Sequence, residues 1–565
     1  MSSCVPWTLC IVSFYSIPGT KDHQGVSRFS RIIMGDSPAA TSAEKPQETN
    51  SEQYGNTQSA LDRVITAASY VPPEMSPIRR RAVMCALCLT LLLSALDITI
   101  IATALPTIAA TLQATASEYA WVGSAYTLSS TASTPVWAKM SDIFGRKLTT
   151  MTAAATFMAG SLIAALAGNI QALIAGRTVQ GLGGGGSLVL VTIVIGDIFK
   201  LEDRAKYYGM TGIVYGIASA VGPVLGGVFT QTIGWRWCFF INLPFDGVAL
   251  VVLFFTLKVE TPKESFIAGL RDLDWIGFLL IIGGTICFLY GLETGAGGIV
   301  PWNSALVICL ILFGGLILAL FIVWEARFAK NPVIPFRIFQ KVTNIASFTL
   351  ACIHSFVFIA YDYFLPLYFQ VVLGFKPIIA GITLFPLLIP LTVMTMLGGL
   401  FTRKTGNYII PIFFGSALMT LGNGLFISFG ISTEWAKIVA FQMITGFGAG
   451  VLFQSPMISI QTHTEQKDMA AAMSAFNFVR SLFSSMSIVI GTVLLQHNLG
   501  GGELTAGKLG SENGNDGTSG ASKAIYMSAL RVMWAFFTGV SGCMLLAAIF
   551  IKPKPRKSGQ PNTSS

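Results

Sequence analysis

The chain has 565 residues, of which 53% are hydrophobic and 11% are charged, and its mean hydropathy is +0.66. A soluble domain has roughly 25% charged residues, so this composition excludes an ordinary soluble protein and predicts a polytopic membrane protein. The formal net charge of +9 does not imply a nucleic-acid partner, because the basic residues are concentrated in loops where anionic lipid headgroups would lie.

The N-terminal region precedes the first membrane segment. Residues 35–78 are rich in Ser, Thr, Ala, Glu, Gln and Pro, a composition that predicts disorder, and we expect residues 1–82 to form a disordered cytoplasmic tail. The apolar run 5–17 is short and lacks a basic flank, so it resembles a signal peptide poorly, and Met34 is an alternative start.

The rest of the chain is dominated by apolar runs of about 20 residues, the length of helix that crosses a hydrocarbon core about 30 Å thick. Fourteen such runs predict an all-α polytopic membrane protein with fourteen transmembrane helices. The approximate spans are 83–105, 119–139, 149–167, 171–196, 208–233, 237–257, 273–293, 304–325, 345–367, 378–402, 409–430, 435–460, 470–496 and 526–551. The segment 497–523 is predicted to be a flexible external loop.

The orientation follows from the basic residues of the loops. Loops on the side of the N-terminus carry 23 Lys and Arg residues, whereas the opposite loops carry five. Because cytoplasmic loops are enriched in Lys and Arg, both termini are predicted to be cytoplasmic.

The loops also contain a faint internal repeat, and secondary transporters are often built from repeated helix bundles. Aligning Gly145 in AKMSDIFGRK with Gly406 in GLFTRKTGNY places Asp142 opposite Arg403. The predicted domains are a six-helix bundle at 83–257, two inserted helices at 273–325, a second six-helix bundle at 345–551 and a cytoplasmic tail at 552–565.

Two charged residues lie at membrane depth in the first half of the chain, where charges are expensive and are functional candidates. Asp97 lies about eight residues from the outer end of helix one, and Arg177 lies about seven residues from the outer end of helix four. Both are therefore roughly 10–12 Å deep at 1.5 Å per residue. If helices one and four are neighbours, the two residues pair or form a protonation site; a static buried ion pair is the alternative.

Helix five carries glycine and proline inside an apolar run, at Gly216, Gly222, Pro223, Gly226 and Gly227. In a bilayer, glycine allows close backbone approach, and a proline kink persists where neighbours satisfy the freed carbonyl. This pattern predicts a helix that packs tightly and bends, although helix packing alone is an equal interpretation of the segment by itself.

Further polar residues lie within predicted helices four, nine and twelve. They are weak candidates for a substrate cavity, and interhelical hydrogen bonding is the commoner role of such residues. These candidates are Gln180, His354, Tyr361, Asp362, Gln442 and Gln454. Arg480 near the middle of helix thirteen is a further charge that faces either a cavity or the protein interior.

Several other functions find no support. The segment 181–186 matches G-x-G-x-x-G, but it lies inside a membrane helix without a preceding strand, so small-residue packing explains it better. No P-loop motif occurs.

The nine cysteines are scattered, and neither a metal site nor a cofactor is expected. No constellation of catalytic side chains recurs on the cytoplasmic face, so an enzyme is not expected.

Taken together, the motifs resemble the major facilitator superfamily, and specifically its fourteen-helix drug:proton antiporters, over residues 80–551. Helix one contains Leu96-Asp97-Ile-Thr99, similar to the family pattern LDxTIVNVALP. Helix four contains Arg177-Thr-Val-Gln180-Gly181, similar to RxxQG, and helix five matches GxxxGPxxGG. The segment 235–244 is similar to that of fungal members, many of which export toxins or other secondary metabolites.

The resemblance assigns roles to these residues. Asp97 and Arg177 would couple protons, and the glycine segment of helix five marks exporters rather than importers. The loop after helix two looks like the cytoplasmic gating motif of the superfamily, in which the acidic and basic residues stabilise the outward-open state. The gate residues would be Asp142, Gly145, Arg146 and Lys147.

The predicted function is proton-coupled export of small, largely apolar molecules, and the expected substrate is a fungal secondary metabolite or a xenobiotic. The predicted partners are this substrate, protons and the lipid bilayer, with a monomer in the plasma membrane. Vacuolar uptake of basic amino acids and siderophore transport are alternatives within the same family. A carrier-like nutrient sensor is an alternative of another class, although the segment after Lys552 is short for a signalling extension.

Overall fold

The structure is a computed structural model that describes residues 75–257, 271, 273–296, 300–375, 377–499 and 520–553. These residues belong to one compact unit, Tyr70–Ser565. The predicted N-terminal tail up to residue 74, the central part of the predicted external loop and the C-terminal tail beyond residue 553 lie outside the described residues.

Fourteen long helices make up most of the described chain. They are α1 Pro77–Thr111, α2 Ala116–Phe144, α3 Arg146–Ala165, α4 Ile170–Ile198, α5 Leu201–Thr232, α6 Asn242–Thr256, α7 Trp275–Ala296, α8 Ala305–Arg327, α9 Val342–Leu367, α10 Phe385–Thr405, α11 Ile409–Phe426, α12 Trp435–Leu452, α13 Met469–Asn498 and α14 Gly520–Ile549. Thirteen helical spans of the described residues are long and apolar enough to cross a membrane. The remaining helix is α2, which is 29 residues long and contains several Ser and Thr residues.

Several helices extend beyond the apolar runs that predict them. Helix α1 begins at Pro77, six residues before the predicted start, because Ser76 caps it by accepting a hydrogen bond from the Arg79 amide and proline is favoured in a first helical turn. Hydropathy identifies only the apolar part of a helix, whereas the backbone hydrogen bonds of the same helix continue into the polar residues at its ends.

Three spans predicted as single helices are interrupted. Helix α6 follows a short helical turn, Trp237–Phe240. Helix α10 is preceded by the separate segment Pro377–Ile382, and α12 is followed by a second segment, Ser455–His463. The two later breaks precede Pro386 and Pro456, each in the first turn of the new helix, because proline cannot donate a backbone hydrogen bond to the preceding turn. Each of these breaks is local, because Trp237–Thr256, Ile379–Thr405 and Trp435–His463 are each long and apolar enough to cross a membrane as one span. The predicted spans 237–257, 378–402 and 435–460 are therefore confirmed, and the breaks within them were not predicted.

Helices α1 to α6 pack together, with α4 against α2 and α3, and α1 against α5 and α6. Helices α9 to α14 form a second group around an aromatic core that includes Phe364, Phe426 and Trp534. Helices α7 and α8 pack against each other, and α7 also contacts α2 and α13. We call α1 to α6 the first bundle and α9 to α14 the second bundle; the division of the chain into these domains stays a prediction.

Helix α5 joins the two bundles. On one side, a Cβ on Gly222 would collide with the Thr99 hydroxyl of α1. On the other side, a Cβ on Gly216 would collide with the Thr392 hydroxyl of α10. The glycines therefore allow α5 to lie in backbone-level contact with both neighbours, as expected where small residues line a membrane helix interface.

Hydroxyl groups of α1 support α5 on both sides of its internal proline. Thr99 Oγ1 donates a hydrogen bond to the Ala218 carbonyl at 3.1 Å, and Thr103 Oγ1 donates one to the Pro223 carbonyl at 3.0 Å. These two bonds attach α5 to α1 close to Pro223.

We expect Gly222→Ala to destabilise the protein, because an added methyl group has no space between α5 and α1 and overpacking costs about 1–3 kcal/mol. The measurement is the melting temperature of the detergent-purified chain. Gly247→Ala is the matched control, since nothing lies within 4 Å of a Cβ at that position; it should be neutral or stabilising by up to about 1 kcal/mol. Equal melting temperatures for the two variants would contradict close packing at Gly222.

Candidate functional site

An ion pair lies inside the first bundle, where Arg177 Nη1 of α4 contacts Asp97 Oδ2 of α1. Both side chains are at most 1% exposed. The structure therefore joins the two membrane-depth charges that the sequence singles out. Because breaking one partner of a buried pair costs about 3–5 kcal/mol, the pair is a strong constraint on helices α1 and α4.

The second carboxylate oxygen of Asp97 is also hydrogen-bonded. Gln180 Nε2 donates to Asp97 Oδ1 at 2.9 Å, and Asn242 Nδ2 of α6 donates to the same oxygen at 3.2 Å. Both amides also lie within hydrogen-bond distance of Ser161 Oγ of α3, at 2.8 and 3.2 Å. Gln180 thus belongs to the ion-pair network, and its proposed contact with a substrate cavity is not supported.

The Arg177 guanidinium has further partners in α2. Its Nε donates to the Val122 carbonyl at 3.1 Å, and its carbon lies 4.6 Å from the centre of the Tyr126 ring. The Tyr126 hydroxyl donates to the Ser94 carbonyl of α1 at 3.2 Å. Helices α1, α2, α3, α4 and α6 therefore all contribute to one buried polar network.

The gating-motif residues lie at the turn between α2 and α3. Gly145 has φ +86°, a conformation that favours glycine, and this turn brings Arg146 back over the end of α2. Arg146 Nη1 lies 2.5 Å from Asp142 Oδ1, and its Nε lies 2.6 Å from Asp197 Oδ2 of α4. One arginine thus connects two carboxylates on different helices.

Lys147 does not join these carboxylates in the described contacts. Its Nζ lies over the Phe254 ring of α6, 4.5 Å from the ring centre. Asp197, the third member of the cluster, was not predicted from the sequence. The available signal was an acidic residue at the end of a long apolar helix, facing a basic loop.

We call the face that carries the α2–α3, α4–α5, α10–α11 and α12–α13 turns the basic face. On this face the two bundles are joined by polar contacts. Tyr208 of α5 accepts a hydrogen bond at its carbonyl from Gln454 Nε2, 2.7 Å away, and its hydroxyl accepts one from Gln461 Nε2 at 2.8 Å. Gln454 therefore contributes to the contact between the bundles at the basic face. Its proposed position in a substrate cavity is not supported.

Two further contacts close the same face. Arg403 Nε lies 2.9 Å from Asp203 Oδ1, and Asn477 Nδ2 donates to Thr192 Oγ1 at 3.1 Å. Each joins one bundle to the other. The described structure is thus closed on the basic face.

Polar residues of both bundles converge nearer the middle of the membrane. Arg480 of α13 donates through Nε to Ser355 Oγ of α9 at 2.8 Å. Tyr215 of α5 lies within electrostatic range of both Arg480 and Asp362. The side chains of Tyr215, Asp362 and Arg480 are each half-buried. We call Tyr215, Asp362 and Arg480 the central cluster; a role of Asp362 in a substrate cavity stays a prediction.

Three other cavity candidates lie within the second bundle. Tyr361 is buried in the aromatic core against Phe426, and Gln442 donates to the Thr383 carbonyl at 3.0 Å. His354 Nε2 lies 3.1 Å from the Ala449 carbonyl. These side chains support the packing of the bundle, the commoner role of buried polar groups in membrane helices.

A separate groove of about 450 Å³ lies between α2, α4 and α7. Trp121, Leu182 and Ile282 are among its lining residues, and none of its described lining residues is charged. The groove is therefore distinct from both the ion-pair network and the central cluster.

The fold and these polar sites define a membrane carrier built from two packed helical bundles. The family profile described as Major Facilitator Superfamily matches residues 87–488. The efflux pump dotC of Dothistroma septosporum is 49% identical over 417 residues, which cover 74% of this chain and 72% of that protein. The MFS-type transporter ppz2 of Metarhizium majus is 41% identical over 519 residues, covering 88% and 89% of the two chains. The chain therefore belongs to the major facilitator superfamily and is a membrane transporter.

Two further similarities agree with this assignment. The MFS-type efflux pump LUC4 of Fusarium sp. is 37% identical over 429 residues, covering 74% of this chain and 75% of that protein. The crystal structure of the human organic anion transporter MFSD10 (TETRAN) matches with a TM-score of 0.56 and 14% identity, covering 85% of this chain and 100% of that chain. At this identity the structural likeness concerns the fold alone.

We expect Asp197→Asn to lower the melting temperature of the purified chain, because the Asp197 side chain is only 14% exposed and a hydrogen bond to a charged group contributes about 1.5–3 kcal/mol. Asp203→Asn is the control, since the Asp203–Arg403 pair is 40–45% exposed and exposed pairs contribute about 0–1 kcal/mol. A larger loss of stability in Asp203→Asn than in Asp197→Asn would overturn this ranking.

Proposed function

We propose that this protein is a proton-coupled efflux transporter for small, largely apolar molecules. The observation that carries the proposal is the Asp97–Arg177 pair, a buried carboxylate and guanidinium at membrane depth in a family of carriers. Intramembrane ionisable residues mark ion and substrate pathways. Asp97 is the proton-binding group in this proposal, and Arg177 is the cation that stabilises its charged form.

Proton binding would change the balance of forces in the first bundle. A proton on Asp97 removes the negative charge that compensates Arg177, and an uncompensated buried guanidinium is costly. The network then favours a rearrangement that gives Arg177 other partners or water. Helix α5 would transmit this rearrangement from the first bundle to the second, because it contacts α1 through Gly222 and α10 through Gly216.

The gate contacts fit the same cycle. With the basic face oriented to the cytoplasm, the closed arrangement of Tyr208 with Gln454 and Gln461 corresponds to an outward-facing state. Arg146 with Asp142 and Asp197 would hold this state, and Lys147 would stabilise the turn against α6. Rocking of the two bundles about a site near the midplane then alternates access.

The proposed biological setting follows from the relatives, which include efflux pumps of Dothistroma and Fusarium. We propose a fungal secondary metabolite or xenobiotic as the substrate and the plasma membrane as the location, with both termini cytoplasmic. The proposed working unit is a monomer that needs no cofactor. Vacuolar uptake is distinguished by localisation of a tagged chain, and siderophore uptake by iron-dependent growth.

We expect Asp97→Asn to abolish proton-driven export from cells expressing the chain. A panel of toxins and dyes is loaded, and efflux is followed with and without a protonophore. Because asparagine cannot cycle a proton, the protonophore-sensitive component should fall to the level of cells without the transporter. In reconstituted vesicles, exchange of internal for external substrate should persist, because exchange needs no net proton transfer.

The control for this test is Glu434→Gln, which removes an acidic charge from an exposed pair with Lys437. It should export as the wild type does. Proton-driven export that is unchanged in Asp97→Asn would remove Asp97 from the coupling mechanism. Loss of both export and exchange, with a lowered melting temperature, would instead identify the pair as a static structural element.

A further inference from the structure

The central cluster contains a cation whose charge is not compensated by a described acidic partner. Arg480 lies in the middle of α13, and its Nε is fixed by Ser355 Oγ of α9 at 2.8 Å. Among the described residues, no carboxylate lies within the 4.0 Å ion-pair distance of this guanidinium. The described hydrogen bonds also leave both of its terminal nitrogens unused.

Asp362 does not fill this role. It lies seven residues after Ser355 on α9, so it shares the same helical face but is about 10 Å further along the helix axis at 1.5 Å per residue. Tyr215 of α5 is within electrostatic range of both charges. The central cluster therefore has a cation at one level and an acid at another, separated by roughly two helical turns.

Aromatic rings enclose the cation. The carbon of the Arg480 guanidinium lies 4.6 Å from the centre of the Phe453 ring and 5.3 Å from that of Phe476. The Tyr215 ring, from the other bundle, lies 5.9 Å from Phe453. Phe476 is buried and holds the guanidinium in a fixed plane. Phe453 and Tyr215 are only partly buried, and flat rings of this kind favour planar aromatic molecules through stacking.

A guanidinium inside the membrane is costly unless an anion or a polar group compensates it. Planar two-pronged donors match carboxylates and similar anionic oxygens. We propose that the central cluster binds planar aromatic molecules that carry an acidic oxygen, a carboxylate or an ionised phenol, with this oxygen on the terminal nitrogens of Arg480. The inference deepens the proposed export function and rests on it for the direction of transport, but binding itself does not depend on proton coupling.

The test measures binding to the purified full-length chain in detergent. The probes are a fluorescent coumarin carboxylate and the corresponding neutral ethyl ester, compared by fluorescence anisotropy. The wild type should bind the carboxylate more tightly than the ester. Arg480→Gln should weaken carboxylate binding by about tenfold or more, the loss expected for a charge-assisted hydrogen bond, and should change ester binding by less than about twofold.

Two variants control for folding and for general charge effects. Arg480→Lys keeps the positive charge without the planar fork, so carboxylate affinity should lie between that of the wild type and that of Arg480→Gln. Asp362→Asn removes the opposite charge from the same cluster, so carboxylate affinity should rise or stay constant. Melting temperatures are measured for every variant.

The outcomes separate this inference from the proposed function. Equal binding of the carboxylate and the ester by the wild type, or equal losses for both probes in Arg480→Gln, would overturn the substrate class and leave proton-coupled export of other molecules intact. Carboxylate-selective binding that depends on Arg480 would support the inference even where Asp97→Asn leaves export unchanged. A loss of carboxylate affinity in Asp362→Asn as large as that in Arg480→Gln would also overturn it.

Discussion

The charge pair between Asp97 and Arg177 constrains the whole first bundle. Removing both charges from water costs several kcal/mol per ion, and the attraction compensates only when the remaining donors and acceptors are satisfied. Here that requirement is met by groups from five helices, including the Val122 carbonyl, the Ser161 hydroxyl and the Asn242 amide. The polar network therefore specifies how α1, α2, α3, α4 and α6 meet, which apolar packing between helices in lipid would specify poorly.

Helix α5 is the element through which this network reaches the rest of the molecule. It is hydrogen-bonded to α1 on both sides of Pro223 and contacts α10 of the second bundle. Tyr215 packs against a cluster that contains Leu96, the residue before Asp97. Tyr215 therefore connects the central cluster with helix α1 next to the charge pair.

Much of this architecture was predictable because lipid imposes strong rules on sequence. The number of helices and the pairing of two charges at equal depth follow from hydropathy and helix geometry. Two features could not be predicted from the sequence. One is the pair of helix breaks before Pro386 and Pro456, and the other is the positions of Tyr361, Gln442 and Gln454. A polar side chain in an apolar helix satisfies the same pattern whether it faces a cavity or a neighbouring carbonyl. Its direction depends on helix rotation, which is set by packing of the complete bundle.

Two arginines illustrate how similar residues acquire different roles. Arg177 and Arg480 both lie within membrane helices, and each has an aromatic ring 4.6 Å from its guanidinium carbon. Arg177 is paired with Asp97 in the same bundle, so its charge is compensated before any ligand arrives. Arg480 lacks such a described partner and stands where the bundles face each other. In the proposed cycle the compensated pair is the one that exchanges a proton, whereas the incompletely compensated charge of Arg480 is the one proposed to select an anionic substrate.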